Sequence, residues 1–482
     1  MHEDKSPSKI KLFVENFLVY GLGGVISKII PIIMLPIIAR LMPDTANFGI
    51  ADLANTATSF GCALAVIGMY DAMYRLFFEK DSEAYKKEVC STTISFTAMM
   101  SIAVTVLIIA CRGFIVKYFF KDEKYTFLVY IVAVTTLVSA TNQIISAPTR
   151  MQNKRKVFLI INIVGPILSY AISIPLILKG YYVVALPVAG LISGMTTELV
   201  FWIINRKWFA FRLFNKKTLK QLLIIAIPLF PNFLIYWIFN SSDKLMVTNI
   251  LNVGEEGIYA IGSKLGHVSQ LIYTAFAGGW QYFAFSTMKE ENQVKSNSLV
   301  FEYLYAISIL CSFFVFSLSE SIYTIFFPGE YTKGYIVAPY LFMAPLMQML
   351  FQVASNQFLV IKKTWPNMFI LLGGAILNIV LNFYLIPKIG IEGAAIATLL
   401  GYVFSDIIVC AVLYRMRLMM ISRRLMILTS IIVAYILLWR LVIKNNLIMS
   451  AAWAIAASLC VILMYKKEFR HIYQGIFPKK RN

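Results

Sequence analysis

Charge is what this sequence has least of: 14% of its 482 residues are Asp, Glu, Lys or Arg, against 59% that are hydrophobic. Soluble domains carry about 25% charged residues, so a water-soluble globular protein is excluded. Histidine is equally scarce, and of the three in the chain only His267 falls inside an apolar stretch, which rules out a multi-histidine metal centre. The six cysteines (Cys62, Cys90, Cys111, Cys311, Cys410 and Cys460) are scattered singly, with no C-x-x-C pair, and read as small core residues. Long polar segments are also missing. The longest outward connections are 42–47, 119–124, 251–256 and 328–333, which argues against an enzyme that keeps donor chemistry in a large external loop. No separate basic domain exists, so nucleic acid is not an expected partner despite the net charge of +20. Residues 1–11 are polar and lack a short apolar core before a cleavage site, so no removable signal peptide is expected.

What is present is a series of apolar blocks of about 20 to 30 residues, each long enough to cross a hydrocarbon layer. Runs such as 17–41 and 391–412 are apolar on all sides, unlike the alternating strands of about ten residues in a membrane β-barrel. The expected fold class is an all-α polytopic membrane protein with about 14 transmembrane helices. These spans fall at 14–41, 48–76, 90–118, 125–149, 157–178, 181–205, 220–250, 257–287, 298–325, 333–361, 366–386, 392–417, 424–444 and 447–466. Of the 44 Lys and Arg residues, 31 lie on the side of the two termini and 10 on the other. That asymmetry predicts cytoplasmic termini and makes the excess charge a topology signal. The basic tail adds a minor attraction to anionic lipid.

An internal repeat divides the chain. Phe48-Gly49-Ile50-Ala51 matches Glu256-Gly257-Ile258-Tyr259 at an offset of 208, Asn142-Gln143 matches Asn356-Gln357 at 214, and Lys179-Gly180 with Ala185 matches Ile389-Gly390 with Ala395 at 210. Three weak matches in the same order predict two parallel six-helix bundles, 14–205 and 220–417. A basic linker, 206–219, joins them, a cytoplasmic segment 1–13 precedes them, and two additional helices (418–466) and a basic tail (467–482) follow. Two bundles around a central cavity suit an alternating-access transporter with its substrate between the halves.

The segment from Asn378 to Thr398 reads N-x-x-x-N (Asn378, Asn382), then Leu385-Ile386-Pro387, Gly390, Gly393-Ala394-Ala395 and Ala397-Thr398. It resembles the signature of bacterial polysaccharide flippases, the O-antigen and capsule repeat-unit carriers of the multidrug/oligosaccharidyl-lipid/polysaccharide exporter superfamily. Leu35-Pro36-Ile37-Ile38-Ala39-Arg40-Leu41 with Phe48-Gly49, and Asp243-Lys244 with Gly257-Ile258-Tyr259, are similar to the same family, over essentially the whole length. Where that family often carries Arg after the span-seven aspartate, this chain has Lys244. The resemblance implies a transporter in the bacterial cytoplasmic membrane that flips undecaprenyl-diphosphate-linked oligosaccharide. Its implied partners are that substrate, membrane lipids and other polysaccharide-assembly membrane proteins. No catalytic residue, cofactor or metal is expected. Within the motif the small residues read as helix-packing positions, and Pro387 as the helix break.

Ionisable groups inside spans are costly and mark sites by default. Lys28, Asp243, Lys244, Lys264 and His267 are the candidates for a cavity that takes a lipid diphosphate. The alternative is that the lysines simply pair with Asp52, Asp243 or Asp406. Asn356 and Gln357, with Trp280, Gln281 and Tyr282, could contact sugar, against the plainer reading of helix-packing amides and aromatics. Asp406 and Glu198 could carry a coupling proton, or serve only to pair helices. Asp71 and Arg75, four apart, read as a structural ion pair. Two other functions remain open: an exporter of drugs or of another lipid-linked precursor, whose drug-carrying members usually have 12 spans and acidic cavities, and a membrane-embedded polymerase or acyltransferase.

Overall fold

The computed structural model describes residues 28–274, 276, 280, 284, 290–361, 363, 365–443, 446–466 and 468. Among these residues there is no β-strand. Ten helices are long and apolar enough to cross a membrane, and two bent pairs raise the number to as many as twelve. In chain order the helices are α1 (28–41), α2 (Thr45–Val66), α3 (Met69–Phe77), α4 (Glu83–Ala110), α5 (Thr126–Met151), α6 (Arg155–Leu178), α7 (Tyr182–Asn205) and α8 (Lys216–Ile250). They continue with α9 (Val253–Gly266), α10 (Gln293–Phe326), α11 (Ala338–Val360), α12 (Trp365–Ile389), α13 (Ile391–Arg415), α14 (Arg423–Leu438) and α15 (Leu447–Met464). The fold is that of a multi-pass all-α membrane protein, as the composition predicts.

The described residues form two compact units. The first runs up to Ile261 and takes in Phe327–Tyr331 and Ala375–Thr398; the second comprises Gly262–Phe326, Thr332–Gly374 and the chain from Leu399 onward. In the first unit, the Asp44 side chain accepts from Ala46 N at 2.9 Å and so caps α2. The helix ends at Ile67, whose φ of 47° lies in the left-handed region, and α3 continues at a bend of 46°. Leu53, Ala57, Val104, Leu128, Val132 and Ala133 pack α2, α4 and α5 into a core. Some buried hydroxyls bond within their own helix, as Thr93 to Val89 O at 2.8 Å and Ser101 to Thr97 O at 2.6 Å illustrate. Such bonds offset the loss of water in an apolar interior. Ile160, Val164 and Ile167 on α6, with Leu199 and Ile203 on α7, remain exposed, an apolar surface of the kind lipid covers.

The second unit is organised by aromatic rings. Phe316 on α10 meets Tyr340 at 5.3 Å, Trp439 at 5.0 Å and Tyr435 at 6.3 Å between centroids, which fastens α14 and the turn after it to α10 and α11. Tyr435 Oη also donates to Phe313 O at 3.2 Å. Beyond α15, Tyr465 Oη donates to Glu302 at 2.8 Å and Glu468 pairs with Arg424 at 2.5 Å. Helices α14 and α15 are therefore integral to this unit.

One expectation is corrected. Pro387 does not break the helix: α12 runs through it to Ile389, and the chain turns at Gly390, whose φ of 65° favours a residue without a side chain. A proline removes a single backbone bond near a helix end, whereas the left-handed residue redirects the chain.

Trp439 is 1% exposed and meets two rings of the aromatic cluster, Phe316 and Tyr340. Trp439→Ala is expected to cost roughly 3–5 kcal/mol and to lower the midpoint of thermal unfolding in detergent. An unchanged midpoint would show that the cluster does not hold α14 in place.

Candidate functional site

The 35 residues of α8 would reach ~52 Å at 1.5 Å per residue, well beyond a hydrocarbon layer of about 30 Å. Near the far end of this helix lie Asp243 and Lys244. Successive helical residues diverge by about 100°, so the two side chains enter different surroundings.

Asp243 is 3% exposed. Its Oδ2 accepts from Tyr259 Oη at 2.6 Å and from Thr398 Oγ1 at 2.5 Å, and its Oδ1 accepts from Asn382 Nδ2 at 3.2 Å. Asn378 Nδ2 in turn donates to Thr398 Oγ1 at 3.0 Å, fixing that hydroxyl's direction. The two asparagines are four apart on α12 and share one face. Charge-assisted bonds of this kind are the strong ones in a low-dielectric interior. The N-x-x-x-N motif and Thr398 thus form a polar clamp around a single buried carboxylate.

Lys244 turns the other way and meets Asp52 of α2, Nζ to Oδ2 at 2.5 Å. Glu256, fully buried on α9, adds a second negative charge to its field. Here the backbones of α2 and α9 come into close contact. A Cβ built on Gly257 would lie 2.0 Å from Thr45 O, and one on Gly49 would lie 2.4 Å from Val253 O and 2.8 Å from Glu256 Oε2. Both positions need glycine because backbone meets backbone. They are the same two glycines that the 208-residue offset aligns. Tyr331 closes over the α1–α2 turn, donating to Met42 O at 2.8 Å.

Three buried carboxylates, Asp52, Asp243 and Glu256, all act on the ammonium of Lys244. Asn382 Oδ1 is buried without a hydrogen-bond partner among the described residues.

The remaining candidates are dispersed. Lys28 is exposed at the start of the described part of α1, and Lys264 is exposed near the end of α9. His267 lies in the 3-10 turn that follows, its Nδ1 2.6 Å from Ser263 O. Asn356 and Gln357 are buried on α11, where Gln293 Nε2 donates to Gln357 Oε1 at 3.0 Å. Asp406 on α13 is 8% exposed, and neither of its oxygens has a hydrogen-bond partner among the described residues. Glu198 on α7 is half-buried and accepts from Thr141 Oγ1 at 2.6 Å. Asp71 and Arg75 are both exposed on α3 and form no ion pair with each other. Trp280 is buried and stacks on Phe276 at 5.6 Å, while Gln281 and Tyr282 lie outside the described residues. Sequence reasoning missed Tyr259, Asn378, Asn382 and Thr398 as partners of Asp243; the four-residue spacing of the two amides was the available signal.

The architecture is shared with solved membrane transporters. The lipid II flippase MurJ in an inward closed conformation superposes with a TM-score of 0.73 at 15% identity, covering 94% of this chain and all of that one. An inward-facing multidrug resistance MATE transporter of the MOP superfamily gives 0.65 at 13% identity, covering 82% and 98%. A MOP superfamily transporter from Pyrococcus furiosus gives 0.58 at 14% identity, covering 86% and 99%. The fold is thus one that these solved transporters share. Residues 13–289, more than half of the chain, match the sequence model of the polysaccharide biosynthesis protein family, and the chain belongs to that family. No curated protein sequence matches the chain.

Removing one partner of a buried ion pair strands the other, at a cost of roughly 3–5 kcal/mol. Lys244→Ala and Asp52→Ala are each expected to lower thermal stability in detergent by about that amount, and the double variant to lose less than the two added together. Strict additivity would show that Lys244 and Asp52 are not coupled.

Proposed function

We propose that this protein is a flippase of the bacterial cytoplasmic membrane that carries undecaprenyl-diphosphate-linked oligosaccharide to the outer leaflet, supplying O-antigen, capsule or exopolysaccharide assembly. The observation that carries this reading is the joint one of family and fold. The chain belongs to a polysaccharide biosynthesis family, and its likeness to a lipid II flippase spans 94% of its length. That coverage leaves too few residues outside it to omit both α14 and α15. Two multidrug resistance MATE structures cover 82% and 85% of the chain.

The charge asymmetry orients both termini to the cytoplasm, which puts the Gly49–Gly257 contact at the outer end of the molecule. Transport by alternating access would then require that contact to part and the Lys244–Asp52 pair to break. Exposed Lys28 and Lys264 supply positive charge for the diphosphate, and Asn356 and Gln357 offer amides for the sugars. Asp406 is a better carrier for a coupling proton than Glu198, because its oxygens lack the hydrogen bond that Glu198 receives from Thr141. Moving a head group breaks no covalent bond, so the reading assigns no catalytic residue.

A leaflet-access assay in proteoliposomes with a labelled undecaprenyl-diphosphate oligosaccharide tests the reading. The intact protein is expected to translocate it, and Lys28→Ala and Lys264→Ala to slow transport by about tenfold or more, the worth of one charge-assisted contact. Asp406→Asn is expected to remove the response to a pH gradient while leaving gradient-independent exchange. Failure of the intact protein to move the lipid, with export of cationic drugs instead, would replace this reading with a multidrug one.

A further inference from the structure

Between α7 and α8 the chain turns through residues 206–215 without leaving the bundle. Trp208 and Phe209 are 6% and 8% exposed and pack with Phe77, Ile94 and Leu222. Ser91 Oγ donates to Trp208 O at 3.3 Å and is itself 2.9 Å from Ala210 N, and Asn215 N donates to Thr92 Oγ1 at 3.1 Å. This linker is therefore a fixed ledge on α4 rather than a loose tether.

Its outer surface has a composition that water alone does not explain. Phe211, Leu213 and Phe214 are 59%, 42% and 41% exposed. Among them stand Arg206, Lys207, Arg212, Lys216, Lys217 and Lys220, all exposed, and no Asp or Glu occurs between 206 and 220. Two nearby acidic groups have partners of their own: Glu83, which feels Lys207, pairs with Lys87 at 3.0 Å, and Glu88 accepts from Thr218. Phe211 stacks on Trp202 at 6.3 Å between centroids, and Trp202 lies beside exposed Ile203 on the apolar flank of α7. The ledge is bracketed by two spanning helices, so it can lie only at the edge of the bilayer. Aromatic side chains with interleaved cations are what partition into the headgroup layer of an anionic membrane.

We propose that residues 206–220 form an interfacial docking surface for anionic phospholipid, with Phe211, Leu213 and Phe214 inserted at the level of the acyl boundary and the six cations on the phosphates. Such a surface fixes the start of α8, the helix that carries Asp243 and Lys244. The proposal needs only the membrane-spanning fold and is independent of the substrate that is carried.

The test uses the full chain in phosphatidylcholine vesicles with and without phosphatidylglycerol, with Cys111, Cys311 and Cys460 replaced by Ser and a nitroxide attached at Leu213→Cys. In phosphatidylglycerol vesicles the label is expected to collide with oxygen in preference to a water-soluble nickel chelate. Spin-labelled phosphatidylglycerol is expected to associate with the protein more strongly than spin-labelled phosphatidylcholine. Arg212→Gln/Lys216→Gln/Lys217→Gln is expected to reduce that preference by on the order of tenfold at low salt. A label at 213 that is open to the nickel chelate in both membranes would overturn the proposal, and this measurement does not depend on the triple variant's folding. Equal association of the two lipids with the intact protein, or displacement of phosphatidylglycerol by inorganic pyrophosphate, would likewise overturn it, the latter in favour of a site for free phosphate groups.

Discussion

Burying a carboxylate in an apolar bundle is the costliest thing this chain does, and Asp243 sets the terms for what surrounds it. An ionised group there must be hydrogen-bonded, paired or neutralised. Three donors from three helices meet the requirement, Tyr259 from α9, Asn382 from α12 and Thr398 from α13. Because Lys244 follows on the next step of the same helix, its charge is directed to α2 instead. One turn of α8 therefore ties together helices from both ends of the sequence. The α12–α13 motif is held in that arrangement by the need to satisfy a charge.

The close contact of α2 with α9 lies beside the same cluster. The Lys244–Asp52 pair draws α8 to α2, and glycine at 49 and 257 lets α9 come against α2 as well. The apolar residues around the contact supply packing but no direction, whereas the ion pair and the glycines define which faces meet. Pro228 and Pro231 lie within α8, on the side of its start. They leave local breaks in its hydrogen-bond ladder, the usual origin of a bend. A helix that can bend there and is clamped at Asp243 is suited to move its two ends separately.

Much of this was legible in the sequence. Hydropathy blocks and scarce charge define the class, and the 208-residue offset aligns Gly49 with Gly257, which the structure brings into contact. The N-x-x-x-N spacing marks one helix face. The charge that face serves is not visible, since Asn382 and Thr398 stand 139 and 155 residues from Asp243 and only tertiary packing joins them. Asp243 and Lys244 look alike in the sequence, two ionisable groups at one depth. The turn of the helix gives the first a neutral clamp and the second a salt bridge. Pro387 misleads for a local reason, because a proline within one turn of a helix end is tolerated and the redirection falls to Gly390.

Under the proposed function, the Lys244–Asp52 contact has to open for transport. In protein whose native cysteines have been replaced, Asp52→Cys and Lys244→Cys can be bridged with a short bifunctional thiol reagent, and translocation in proteoliposomes followed before and after reductive cleavage of the bridge. The account predicts that bridging arrests translocation and that cleavage restores it. Translocation at an unchanged rate in the fully bridged protein would contradict it.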